Sequence, residues 1–130
     1  MTVESFDPTA QSGHLDGAVI AQLLVLAQGD PDKPLSVSAD EALQLAFTAR
    51  HPDWLEQAKQ LDDEELVQLA RFYTVAEQQL SGWRADDKSP VIAFVRELKN
   101  RRQFDAQLRK WIKAHTDNKF LPHGSLTDLL

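Results

Sequence analysis

Residues 62–82, DDEELVQLARFYTVAEQQLSG, carry the clearest periodicity in the chain. Leu66, Leu69, Ala70, Phe72, Tyr73, Ala76 and Leu80 recur at three- and four-residue intervals, the period of a helix with one buried face and not the alternation of a strand. Asp62 stands where a cap accepts from a free backbone N–H, and Glu65 stands at the third helical position, so the two form a reciprocal capping box. The run of four carboxylates at 62–65 matches the positive end of a helix dipole, which gives it a structural purpose without a metal. Ser81-Gly82 ends the pattern after about four turns, making this the longest helix expected in the chain.

Working outward, the same period recurs on both sides. Leu and Ala together number 33 against 11 for Val and Ile, a balance that favours helix over sheet. A first helix is expected from Leu15 or Asp16 to Gln28, with Val19, Ile20, Leu23, Leu24 and Ala27 on one face; Val25 and Leu26 widen that face enough to suggest a central position. Gly29-Asp30-Pro31-Asp32-Lys33-Pro34 stops it. Ser38-Ala39-Asp40-Glu41 has the form of a second capping box and opens a helix to about Arg50. Pro52 and Asp53 start a short third helix to about Lys59, with Trp54, Leu55 and Ala58 inward. Ser89-Pro90 caps a fifth helix to Asn100, burying Val91, Phe94, Val95 and Leu98. Across an Asn100-Arg101-Arg102 join, a sixth helix aligns Phe104, Leu108, Trp111, Ile112 and His115, so 90–115 is expected as an antiparallel hairpin.

These elements predict an all-α, compact single-domain bundle of five or six helices over 15–130, with 1–14 as a flexible N-terminal arm. The end of the chain carries Phe120, Leu121, Leu126, Leu129 and Leu130, apolar enough to be expected packed back on the bundle or against a second copy of the chain.

Composition narrows the chemistry. The 130 residues contain no Cys, which excludes thiol nucleophiles, Cys-zinc sites, disulfides and iron–sulfur clusters. No glycine-rich phosphate loop, nucleophile elbow, paired-histidine zinc motif or EF-hand loop occurs. No cofactor or metal is expected. The opening residues lack the basic and apolar regions of a secretory signal, and no apolar run approaches the ~20 residues that cross a bilayer, so a cytoplasmic protein is expected.

Three features bear on function. The net charge is −6, yet Arg96, Lys99, Arg101, Arg102, Arg109, Lys110 and Lys113 fall together with only Glu97 and Asp105 among them. One basic corner on an acidic molecule suits an acidic protein face; nucleic acid is a less favoured alternative because the overall charge repels it. The second feature is the polar segment 111–124, in which His115, Asp117, Asn118, Lys119 and His123 present imidazole, carboxylate, amide and amine together. Convergence of His115, Asp117 and His123 would make a ligand or acid–base site, whereas the plainer reading packs His115 beneath Trp111 and makes Asn118 a left-handed helix stop with Asp117 bonded to nearby backbone. The third is Trp83, outside any apolar stripe, which either clamps the end of the fourth helix or projects as a binding anchor. The expectation is a non-enzymatic interaction or regulatory module that docks a partner protein through the basic hairpin and the apolar C-terminal segment.

Overall fold

A computed structural model describes residues 15–30, 33 and 35–123. The expected arm at 1–14 and the leucines at 126, 129 and 130, with the self-association assigned to them, lie outside the described residues. The described chain is all-α, six helices gathered around one core with no strand among them.

The helices are α1 (Gly17–Ala27), α2 (Ala39–Leu45), α3 (Trp54–Gln57), α4 (Asp63–Gln79), α5 (Pro90–Asn100) and α6 (Ala106–His115), with 3-10 turns at Ala46–Arg50, Ala58–Gln60 and Asp86–Lys88. Side-chain caps set most of the starts, those at Ser38, Asp62 and Ser89 as read from the sequence. Asp16 accepts from Val19 N at 2.9 Å, and at α4 both halves of the capping box form, Glu65 N to Asp62 Oδ1 at 2.8 Å and Asp62 N to Glu65 Oε1 at 3.0 Å. Ser38 caps Glu41 N, but the Glu41 carboxylate does not return to Ser38; it accepts from Gln22 Nε2 at 3.1 Å and ties α2 to α1.

Helix α4 is the axis of the molecule: α1, α5 and α6 all pack on it. Its inner face supplies Tyr73, which meets Trp54, Phe72, Trp83 and Phe94 in a cluster of rings with centroids 5.2–5.9 Å apart. Trp54 and Phe72 meet Tyr73 edge-on and Trp83 and Phe94 meet it tilted, contacts that add to the burial of large apolar area. The polar atoms of the cluster are matched. Trp54 Nε1 donates to Thr48 O at 2.8 Å and Thr48 Oγ1 donates to Leu45 O at 2.7 Å, which leaves the Tyr73 hydroxyl to donate to Thr48 Oγ1. Burial pushes the Tyr73 phenol far above its ordinary pKa, keeping it protonated.

Four expectations are corrected. Helix α1 is peripheral: only Ile20 and Leu23 are fully buried and Val25 is 66% exposed, because apolar breadth records what a helix is able to bury, not which neighbours are present. The second helix stops at Leu45 because Thr48 Oγ1 bonds the Leu45 carbonyl and the chain tightens into a 3-10 turn. The sixth helix starts at Ala106 because Asp105 caps Leu108 N at 2.7 Å. In the pair at 90–115, α6 rests on α4 more than on α5, so its face-to-face contact with its chain neighbour is slight.

Candidate functional site

The basic stretch divides into cations that hold the fold and cations that face outward. Arg101, expected on the docking face, belongs to the first group. Its Nε donates to Glu97 Oε2 at 2.8 Å, its Nη1 to Asp63 Oδ1 at 3.0 Å, and its Nη2 to the carbonyls of Ala58 and Lys59 at 3.3 Å. One guanidinium thus joins the end of α5 to the start of α4 and to the 3-10 turn before it, and the bonds to Glu97 and then Asp63 raise its pKa further. Arg102, the next residue, is exposed with a φ of 60°.

Arg96 belongs to the second group: it is exposed on α5 and carries no hydrogen bond or ion pair among the described residues. It stands between two adjoining clefts. One, of about 370 Å³, runs between α5 and the segment 50–55, with Leu55, Pro90, Ile92 and Ala93 as apolar lining and Arg50, Lys88 and Asp87 at its edge. The other, about 100 Å³, shares Ile92 and Arg96 and adds Lys99 and Pro122. Lys99 lies 5.9 Å from the centre of the Phe104 ring, and its Nζ donates to His123 Nδ1 at 2.7 Å. Leu55, expected inward, is instead 48% exposed and extends the apolar lining to the surface. Arg109, Lys110 and Lys113 are exposed on α6.

The polar residues of 111–124 do not converge. His115 stacks on Trp111 with ring centroids 4.0 Å apart, and its Nδ1 donates to Trp111 O at 2.7 Å, the i, i+4 arrangement that the helix spacing implies. Asp117 turns the other way and accepts from Arg84 Nη1 at 2.8 Å and Gln78 Nε2 at 3.1 Å; Arg84 above all holds its carboxyl below the usual range. His123 lies at Lys99 and Phe104. Asn118 is buried and not left-handed: its Oδ1 accepts from Phe120 N at 3.0 Å, its Nδ2 donates to Asp86 O at 3.0 Å, and the positive φ falls on Asp86 itself, at 50°. Lys119 is exposed beside it, while Leu121 is buried in the core, so the fold-back of the C-terminal segment holds at least that far.

Trp83 clamps and does not project. Gly82, with a φ of 84°, allows the turn in which Trp83 N donates to Leu80 O at 3.2 Å. The indole then enters the core, fully buried, with Nε1 donating to Ala42 O of α2 at 2.9 Å.

The residue that sequence reasoning passed over is Glu77. It lies four residues beyond Tyr73 and eleven beyond Leu66, on the buried stripe of α4, and is 4% exposed. The Ser89 hydroxyl donates to its Oε2 while accepting from Val91 N at 3.2 Å, so the cap of α5 is bonded to a carboxyl inside the molecule. Desolvation raises its pKa from 4.5 to about 7, against the opposing pull of the Ser89, Ala85 and Asn118 bonds and of the Arg84 charge. Oε1 has no well-aligned donor, which leaves the neutral acid the better tenant of this site.

Among the described residues no three His, Asp or Glu side chains gather as a metal site, and no helix is long and apolar enough to cross a membrane. No family model, no curated protein and no solved structure matches the chain.

Proposed function

We propose that the chain is a non-enzymatic interaction module that docks an acidic, amphipathic segment of a partner protein along the outer face of α5. The observation that carries this reading is Arg96, an exposed cation with no ion pair among the described residues, seated where two clefts meet, the larger of them lined by Leu55, Pro90, Ile92 and Ala93. Lys88 and Lys99 extend the positive rim, while Leu55, Ile92 and Ala93 offer the apolar contact that gives a docked segment most of its affinity. The net charge of −6 works against a long run of phosphates more than against a short acidic peptide. The scattered positions of His115, Asp117 and His123 give no support to catalysis.

The test is selection of displayed peptides on the immobilised chain. The expected winners combine Asp or Glu with Leu, Ile or Phe, and Arg96→Glu with Lys99→Glu weakens them by about tenfold or more. Winners without acidic residues, winners indifferent to the reversal, or preferential retention of duplex DNA at about 50 mM salt would each count against the proposal.

A further inference from the structure

A different surface, sharing no lining residue with the α5 clefts, has the character of a ligand site. Helix α1 is apolar on nearly all sides yet buries only Ile20 and Leu23. Beyond Gly29 the chain returns along α4, where Leu35 N donates to Gln79 Oε1 at 2.9 Å. Between α1, this returning strand of loop and α4 lies a cleft of about 510 Å³, within the size range that accommodates small organic ligands. Val25, Leu26, Leu35, Val37, Phe72 and Val75 give it apolar walls.

One cation enters this apolar cleft from α4. Arg71 is half-buried, and its Nε is shielded from water with no hydrogen-bond partner among the described residues. The side chain has neither an ion pair nor a hydrogen bond among the described residues; its guanidinium lies 5.6 Å from the centre of the Trp111 ring, a contact that orients the fork without neutralising it. A shielded donor on a permanent charge is costly to leave unmatched. Lys33 adds positive charge to the lining, where Gln28, Asp30, Ser36 and Gln68 are the other polar residues.

We infer that this cleft binds a small amphipathic carboxylate, its apolar body against Val25, Phe72 and Val75 and its head on Arg71. A planar guanidinium matches a planar carboxylate through paired hydrogen bonds.

The experiment is an amide NMR titration of the full chain with decanoate, decanol and acetate. Decanoate is expected to shift Val25, Arg71, Phe72 and Val75 together, and to bind at least about fivefold more tightly than decanol, the difference being the charge-assisted bond. Acetate, lacking the body, is expected to leave these amides in place at the same concentration. Arg71→Met keeps the apolar stem and should bring decanoate down to the level of decanol. Should that variant not fold, Val25→Glu, at a position 66% exposed, sets a like charge at the cleft and should weaken decanoate more than decanol. Equal binding of decanoate and decanol, shifts centred on α5, or no shift at all would overturn the inference.

Discussion

Glu77 sets the pH response of the fold. Its carboxyl titrates near 4.5 in an open chain and at about 7 in the folded one, so folding takes up a proton between those values. The stabilisation from the neutral acid is complete below about pH 4.5 and is lost as pH rises through 7. At about 1.4 kcal/mol per unit the full loss is of order 3–4 kcal/mol. Denaturant midpoints measured from pH 5 to 8 are expected to fall with rising pH in the native chain and to stay nearly level in Glu77→Gln, with the variant the more stable at pH 8. Equal slopes for both would mean that the carboxyl is already ionised where it lies. Asp117 works in the opposite sense, since Arg84 holds its carboxyl low and that contribution disappears on acidification; half-exposed pairs of this kind contribute little. Arg101 contributes more through its geometry, and Arg101→Ala is expected to lower stability by about 1–2 kcal/mol by freeing Asp63, Glu97 and two carbonyls. Glu77 was legible in principle, because it sits on the stripe of Leu66 and Tyr73, but a charged letter is naturally assigned to solvent. The role of Arg101 was not legible, because its partner Asp63 lies 38 residues away.

At the level of elements, the sequence carried the starts better than the ends. Asp16, Ser38, Asp62 and Ser89 all cap as their side chains allow, since a cap is settled within three residues of chain. Ends depend on competing backbone bonds. Helix α5 ends in a paired arrangement, Gln103 N to Leu98 O at 2.8 Å and Arg102 N to Lys99 O at 3.0 Å, that normally places glycine where Arg102 stands. The left-handed backbone of an arginine there costs about 1 kcal/mol relative to glycine. Arg102→Gly is accordingly expected to raise the midpoint of thermal unfolding by a few degrees, about 0.5–1 kcal/mol. A decrease would mean that the arginine side chain makes a compensating contact. Trp83 shows the other boundary of sequence reading: Gly82 announced a turn, but whether the indole clamped or projected depended on the Ala42 carbonyl, 41 residues earlier.

For the molecule as a whole, the all-helical class and the dominance of α4 followed from periodicity, whereas the peripheral place of α1 and the division of the basic corner did not. Both depend on which surfaces meet, and a one-dimensional pattern records surfaces without their partners. The division matters for function because it separates a cation that holds α4 and α5 together, Arg101, from one that faces solvent between two clefts, Arg96. The most direct measurement is the affinity of one selected acidic peptide for the native chain and for Arg96→Glu, with the denaturant midpoint recorded for each. A loss of about tenfold or more in affinity at an unchanged midpoint is expected, since an exposed charge contributes little to folding and much to the choice of partner. Undiminished binding by Arg96→Glu at an unchanged midpoint would contradict it.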